Sequence, residues 1–200
     1  MATLTWRARV RPHRRDTELL ARARRGDAAA FEELARPCVD RVFAVVLRLV
    51  GDRAEAEDIV QETLVRAWRG IRRFRGRSTF PTWLHRIAVN EANRSLERGT
   101  RRAPTTRLTA EHLQLSSGGE RGPAQQAEYR ELRDALEGAL LALPLPYRTA
   151  VVLRDIEGFS TREAADIAGV GEAAFKSRLH QARLKLRAAL GDHALIAADG

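Results

Sequence analysis

The chain has 200 residues, a formal net charge of +9 and a sequence pI of about 11.1. Its length allows one or two small domains, and its basic balance favours an anionic partner such as nucleic acid. A single cysteine, Cys38, excludes an internal disulfide and a multi-cysteine zinc site, and its apolar surroundings predict a buried, inert thiol. The longest apolar run, residues 42–47, is too short to span a membrane, and residues 1–15 lack the apolar stretch of a secretory signal. A cytoplasmic protein without membrane insertion is therefore expected.

The first fifty residues predict a basic segment followed by a helical scaffold. Residues 1–15 carry five arginines and no acid, which indicates disorder, with a DNA-contacting arm as the alternative. From residue 16 the chain has helical periodicity, with Asp16 as a candidate N-cap, Gly26 as a stop and Asp27 as a second N-cap. Pro37 predicts a break or kink, and Gly51 ends this segment.

Residues 54–98 predict two helices joined by a basic connector. In the first helix the buried stripe repeats at helical spacing, whereas Asp58, Gln61 and Glu62 lie on another side. The connector, residues 72–80, contains four arginines and a glycine and must be exposed. In the second helix Arg86, Asn90, Arg94 and Arg98 are four residues apart and therefore line one exposed edge.

This polar edge and the arginine connector are typical of a surface that holds a nucleic-acid strand. Guanidinium groups neutralise phosphates, amides read base edges, and aromatic rings receive unstacked bases. Phe74 and Phe80 are candidates to wall a base pocket, or else belong to the core, while Trp83 is expected to pack internally. Taken without further information, the same pattern describes a solvated helix face beside an arginine-rich loop.

The identities and spacing of the residues in this stretch are a more specific signal of function than their hydrophobic periodicity. AEDIVQETLVRAW, followed by RFRG.STF.TWLHRIAVN, resembles the second conserved region of bacterial extracytoplasmic-function (ECF) sigma factors. The resemblance implies that Asp58, Gln61 and Glu62 dock on core RNA polymerase. It also implies that the promoter −10 element is opened and read by Phe74, Arg75, Arg77, Ser78, Phe80, Arg86, Asn90, Arg94 and Arg98. Two residues depart from the family pattern, since Arg94 stands where an acid is common and Glu97 where arginine is common, so an unusual −10 preference is expected.

Residues 100–124 lose apolar periodicity and are rich in Thr, Ser, Gly and Pro, which predicts a flexible linker. A helix over residues 125–141, with Leu132 and Leu136 on its inner side, precedes the segment Leu143-Pro144. Ser160 and Glu163 form a predicted capping box, and a glycine-containing turn at residues 169–171 leads into a basic helix over residues 172–190. This pattern is that of a helix-turn-helix.

The C-terminal segments EAADIAGV and KSRLHQARLKLRAAL resemble the fourth region of the same family, which reads the −35 element. The positions that the resemblance assigns to DNA are Arg162, Ala173, Lys176, Ser177, Arg178, His180, Gln181 and Arg183. Gly171 replaces the usual hydroxyl N-cap, and Gln181 stands where arginine is frequent. Base preference at −35 is therefore not transferable from a relative.

Three rival classes are distinguishable from the sequence. An enzyme is disfavoured because the histidines are scattered and no P-loop, dinucleotide or nucleophile motif is present; we expect no catalytic residue, cofactor, metal or small-molecule substrate. A stand-alone helix-turn-helix repressor leaves residues 54–98 unexplained. A decoy that binds polymerase without reading promoters stays open. The prediction is an all-α, two-domain ECF sigma factor whose partners are core RNA polymerase, promoter DNA and an anti-sigma factor.

Overall fold

The computed structural model of the protein describes residues 14–99 and 123–191, with side chains for residues 15–99 and 133–191. The basic segment 1–13, the linker residues 100–122 and the tail 192–200 lie outside the described residues, as does the predicted inward side chain of Leu132. The described part of the chain is helical and contains no strand. Its elements are α1 (Arg14–Arg24), α2 (Ala28–Val50), α3 (Arg53–Gly70), a 3-10 turn (Ile71–Arg73), α4 (Phe80–Gly99), α5 (Pro123–Ala142), α6 (Leu145–Val151), a π-helical turn (Val152–Ile156), α7 (Thr161–Ala168) and α8 (Glu172–Leu190).

The predicted helix starts and stops are confirmed at three of five positions. The Asp27 carboxylate accepts the backbone N–H of Ala30 at 3.1 Å and caps α2, which lowers the pKa of Asp27. Gly26 and Gly51 have positive φ, as expected for residues that follow a helix. Asp16 is not an N-cap, because α1 begins at Arg14 and places Asp16 in its first turn.

Pro37 does not break the helix, so of the predicted break or kink the break is wrong. Helix α2 runs unbroken over 23 residues with Pro37 in its interior. An interior proline costs a helix about 3 kcal/mol. Buried residues on both sides of it, including Leu34, Cys38 and Val42, hold the two halves of α2 in one core, and this packing outweighs the local cost.

Helices α1 to α4 form the N-terminal domain, in which α2 packs against the other three. Five aromatic rings occupy the junction of α2, α3, the connector and α4. The Phe31 and Trp68 ring centroids are 5.3 Å apart, and those of Phe74 and Trp83 are 4.9 Å apart. This cluster fixes how the connector leaves α3 and enters α4.

Helices α5 to α8 form the C-terminal domain, centred on the fully buried Phe175 of α8. Helix α6 passes into the π-helical turn, which ends where the backbone N–H of Glu157 donates to the carbonyl of Val152. Leu136, predicted to face inward, is 44% exposed. The reason is that α5 is anchored near its C-terminal end, where Leu140 is buried, and no element of the described chain covers the helix fully at Leu136.

The two domains lie in contact, which the sequence did not predict. Helix α7 packs against α4, and α2 contacts α5, α6 and the π-helical turn. Within the described residues no helix combines the length and apolar character needed to cross a bilayer.

Candidate polymerase and nucleic-acid interfaces

The predicted polymerase-docking face lies on the exposed side of α3. Asp58 and Gln61 are exposed and Glu62 is half-buried. Val65, one turn further on, is 41% exposed. The face therefore combines carboxylates with an apolar side chain, a combination suited to a protein partner.

The connector presents its arginines to solvent, as predicted. Arg72, Arg73, Arg75 and Arg77 are all exposed and Ser78 is half-buried. Gly76, at φ +68°, makes the left-handed bend that turns the connector back toward α4. A row of exposed guanidinium groups on a bent loop can follow a phosphate backbone.

Phe74 and Phe80 do not line an open pocket. They are 6% and 7% exposed, and their rings meet edge to face at 6.3 Å. Of the two interpretations that the sequence allowed, the core one describes this structure. Trp83 packs on both rings, at 4.9 and 5.9 Å, but is only half-buried, so its predicted internal packing is confirmed in part.

The predicted −10 edge of α4 is exposed along its length, at Arg86, Asn90, Arg94 and Arg98. Three of its arginines already have acceptors. Arg86 pairs with Asp166 of α7 at 3.2 Å, and Arg98 donates to the backbone carbonyl of Arg94 at 3.1 Å. Arg94 pairs with Glu91 at 2.7 Å.

Glu91 is a site residue that our reading of the sequence missed. It is 3% exposed, and its carboxylate binds Arg94 of α4 and Arg66 of α3, the latter at 3.1 Å. Arg66 also binds Glu62 at 2.7 Å. A chain of ion pairs thus connects the docking face to the −10 edge. The sequence does carry a signal for this burial. Glu91 lies seven residues after Leu84, which places it on the inner stripe of α4.

An open groove of about 600 Å³ separates α3 from α4. Arg69, Arg73, Asn90 and Arg94 stand on its sides. Trp83 and Ile87, both half-buried, supply apolar surface in it. The groove is lined by more arginines than carboxylates, the latter being Glu62 and Glu91, and it offers apolar surface beside the connector. Aromatic surface among cationic side chains is suited to an unstacked base.

The helix-turn-helix follows the predicted boundaries closely. The Ser160 hydroxyl accepts from the N–H of Glu163 at 3.2 Å, while the Glu163 carboxylate accepts from the N–H of Ser160 at 3.0 Å. This is the predicted capping box. Gly169 adopts the left-handed conformation, at φ +67°, that ends α7 and starts the turn. Helix α8 then begins at Glu172 without a side-chain cap.

The start of α8 presents the predicted −35 residues to solvent. The exposed positions are Ala173, Lys176, Ser177, His180, Gln181 and Arg183, together with Arg162 of α7, while Arg178 is half-buried. Arg183 differs from the others because its guanidinium binds the Asp155 carboxylate through two hydrogen bonds, at 2.6 and 2.9 Å. This bidentate bond raises the pKa of Arg183.

The described residues form no metal site and expose no cysteine thiol. No group of three or more His, Cys, Asp or Glu residues lies close enough there to hold a metal ion. Cys38 is buried, as predicted, and desolvation raises the pKa of its thiol to about 11, which disfavours the reactive thiolate.

Comparison with protein families matches both domains. Residues 34–102 match the family described as Sigma-70 region 2, and residues 133–186 match Sigma-70, region 4. The RNA polymerase sigma-H factor of Pseudomonas aeruginosa is 34% identical over 180 residues, which cover 88% of this chain and 93% of that protein. The ECF RNA polymerase sigma-E factor of Haemophilus influenzae is 34% identical over 173 residues, covering 84% of this chain and 91% of that protein.

Two solved structures also resemble the chain. One is CnrH in complex with the cytosolic domain of CnrY, with a TM-score of 0.61 and 28% identity over 93% of this chain and 99% of that one. The other is the sigma factor RpoE of Bartonella quintana in complex with the anti-sigma factor NepR, with a TM-score of 0.62 and 27% identity over 80% of this chain and 96% of that one.

Proposed function

The chain belongs to the ECF sigma factors of the sigma-70 family, and we propose that it binds core RNA polymerase through α3 and reads a two-part promoter with its two domains. As an alternative sigma factor it directs transcription initiation. The observation that carries the finer proposal is the pair of exposed basic surfaces on separate domains, the connector in one and the start of α8 in the other.

In the N-terminal domain, the connector arginines neutralise phosphates of the opened −10 strand while Asn90 reads a base edge. Because Phe74 and Phe80 are buried, a base flipped out of the stack needs another apolar surface. The groove floor of Trp83 and Ile87, beside Arg73, offers one. This part of the proposal replaces the pocket that the sequence alone suggested.

In the C-terminal domain, α8 enters the major groove of the −35 element with its N-terminal residues toward the base edges. Lys176, Ser177, His180 and Gln181 are exposed donors and acceptors suited to base readout. Arg178, half-buried at the edge of this face, is placed for a phosphate contact. The missing hydroxyl cap at Gly171 leaves the first backbone N–H groups of α8 available to a DNA phosphate.

Partners follow from the family. The proposal includes core RNA polymerase, promoter DNA and an inhibitory anti-sigma factor; the two similar solved structures are both complexes, and that of RpoE contains an anti-sigma factor. We also propose that the chain acts in the cytoplasm beside the polymerase and has no catalytic activity of its own. A stand-alone repressor would leave the match of residues 34–102 without a use.

The test is run-off transcription with sigma-free core polymerase on sheared DNA from the source organism, with start sites mapped. New, protein-dependent starts that share a −10 and −35 pair are expected. Polymerase binding without new starts would favour the decoy, and specific duplex binding without polymerase binding would favour the repressor. The matched control is Lys176→Ala with His180→Ala, which should lose starts that depend on a −35 element while still binding polymerase.

A further inference from the structure

Two arginines from different helices bind the same carboxylate oxygen. Arg66 of α3 meets Oε1 of Glu91 through Nε at 3.1 Å, and Arg94 of α4 meets the same Oε1 through Nη1 at 2.7 Å. The Glu91 side chain is 4% exposed, whereas those of Arg66 and Arg94 are 44% and 56% exposed. Because one oxygen binds both nitrogens, these nitrogens lie at most about 6 Å apart, the sum of the two distances. A buried anion thus holds two exposed cations side by side.

Most N–H donors of these two guanidinium groups are unused. Each guanidinium has five such donors and no acceptor. Arg66 shares its Nε between Glu91 and the half-exposed Glu62, the latter at 2.7 Å. In the described part of the chain no group accepts a hydrogen bond from the terminal nitrogens of Arg66, or from Nε and Nη2 of Arg94. Because both side chains are exposed, the unused donors can bind a ligand.

The ligand that this pair fits is a phosphodiester. Two guanidinium charges and one carboxylate charge leave an excess of one positive charge, which a single phosphodiester neutralises. Phosphate oxygens accept parallel N–H donors from a guanidinium, so two adjacent forks can hold one phosphate from two sides. Both arginines also line the groove that contains Trp83 and Asn90. A strand that places a base in this groove therefore brings a phosphate to the two arginines.

Glu91 determines where the two guanidinium groups stand. Two cations this close repel each other, and an exposed arginine without a partner samples many rotamers. The Glu91 carboxylate offsets the repulsion and is itself held in place, because Glu91 is among the buried residues of α4. Its residue exposure of only 3% keeps it from meeting DNA. It therefore acts on a bound strand through Arg66 and Arg94.

We propose that Arg66 and Arg94 clamp one phosphate of the −10 strand, and that the buried Glu91 is the positioning residue of this clamp. Arg66 thereby becomes a DNA contact on α3, the helix that also carries the polymerase-docking face. The clamp binds the backbone of the strand and is independent of base identity. The proposal rests on the proposed function, but its first test needs neither polymerase nor promoter.

That first test is the binding of the free full-length chain to a fluorescein-labelled oligothymidylate, followed by anisotropy at several salt concentrations. Arg66→Ala should bind about tenfold more weakly, because one charged hydrogen-bonding partner is lost. Arg53→Ala removes an exposed arginine of the same helix that does not line the groove, and it should bind as the wild type does. Arg66→Ala with Arg94→Ala should reduce the slope of log affinity against log salt by about 0.7, the value for one phosphate of a single strand. Wild-type affinity of Arg66→Ala, or twice that loss of slope in the double variant, would overturn the clamp.

Glu91→Gln gives a sharper result, because charge and position predict opposite changes. Loss of a carboxylate makes the chain more cationic, which by itself strengthens DNA binding. Loss of the positioning contact releases both arginines, so we expect binding about fivefold weaker despite the added charge. Glu57→Gln, the same change at an exposed position of α3, should bind no more weakly than the wild type. Equal or tighter binding by Glu91→Gln, with its folding checked by circular dichroism, would overturn the positioning role; if this variant does not fold, Arg66→Ala still decides the clamp.

A second test locates the phosphate in the holoenzyme. Single-stranded oligonucleotides with the mapped −10 sequence carry one neutral methylphosphonate each, moved along the strand. At one position the substitution should weaken binding by the wild-type holoenzyme about tenfold and leave binding by the Arg66→Ala holoenzyme unchanged. Equal losses for both proteins at every position, with start sites retained, would overturn the clamp and leave the proposed function intact. A wild type that forms no holoenzyme would overturn the proposed function, and the oligothymidylate test would still decide the clamp.

Discussion

The two domains hold their reading surfaces in different ways. In the N-terminal domain the −10 edge is engaged within the protein, since Arg94 is bound by the buried Glu91 and Arg86 by Asp166 of the other domain. In the C-terminal domain most of the reading face of α8 stands open, and only Arg183 is tied down, by Asp155. Duplex readout by a helix needs a rigid, exposed face. Strand opening, the role proposed for the N-terminal domain, needs groups that change partners, and the paired cations of this domain are ones that DNA phosphates would replace.

The largest expected effect concerns His85, at the boundary between the domains. Burial lowers the pKa of His85 from 6.5 to about 4. The hydrogen bond to the Pro81 carbonyl partly opposes this shift, because that bond favours the protonated ring. That carbonyl accepts from Nδ1–H at 2.8 Å, while the buried Nε2 has no hydrogen-bond partner among the described residues. Protonation would leave an unpaired N–H buried at Nε2, so the neutral ring is the form that fits. Between pH 6.5 and 4 the unfolded chain takes up a proton that the folded chain does not, and the free energy of unfolding falls by about 3 kcal/mol over this window.

Urea unfolding at pH 7 and pH 4, followed by the fluorescence of Trp68 and Trp83, measures this effect. Carboxylates also titrate as the pH falls, so the wild type is compared with His85→Phe, which keeps a ring against Phe159 and removes the titration. We expect the wild type to lose more stability on acidification than the variant. Equal losses would show that the interface around His85 does not hold it neutral.

The next effect concerns Glu91, the buried anchor of the −10 edge. Glu91→Ala leaves Arg66 and Arg94 without this acceptor, although both arginines are about half exposed and can rehydrate. We expect a loss of about 2 kcal/mol in unfolding free energy, below the 3–5 kcal/mol typical of a fully buried pair. Glu62→Ala removes a half-exposed partner of the same Arg66 and is the control, with a loss under about 1 kcal/mol. If the two variants lose the same free energy of unfolding, then the buried Glu91 contributes no more stability than Glu62 to this chain of ion pairs.

Substitutions on the docking face of α3 should weaken polymerase binding without changing the stability of the fold. We expect Asp58→Ala with Gln61→Ala to weaken the binding of core polymerase about tenfold, or about 1.4 kcal/mol, with unchanged thermal unfolding because both side chains are exposed. Fluorescence anisotropy with labelled core polymerase measures the affinity. Glu32→Ala, at an exposed position on α2, is a matched surface control. Unchanged holoenzyme assembly would exclude this face.

The smallest expected effect lies on α8. Arg178→Ala should lower promoter affinity similarly for different sequences and reduce the slope of log affinity against log salt by about 1, as for one phosphate contact. Gln181→Ala should instead alter base preference and leave the slope unchanged. Titrations of −35 duplexes at several salt concentrations distinguish the two. If the salt slope is unchanged for Arg178→Ala, this arginine does not contact a phosphate.

Local sequence signals determined most of the secondary structure. The capping box at Ser160, the left-handed Gly169 and the span of α8 matched because capping and helical period depend on residues only a few positions apart. The same locality explains why exposure of the α4 edge and of the connector arginines was predictable. The DNA and polymerase roles of these residues remain predictions that the family resemblance supplied.

Tertiary structure determined the features that depend on contacts between different helices. Pro37 stays within α2 because packing on both sides outweighs its cost, and Phe74 becomes core because the rings of Phe80 and Trp83 pack on it. Glu157 finds Arg41 more than a hundred residues away in the chain. Periodicity tells which side of a helix is apolar but not which distant surface will cover it, because that choice depends on the summed packing and charge of elements that meet only in the folded chain.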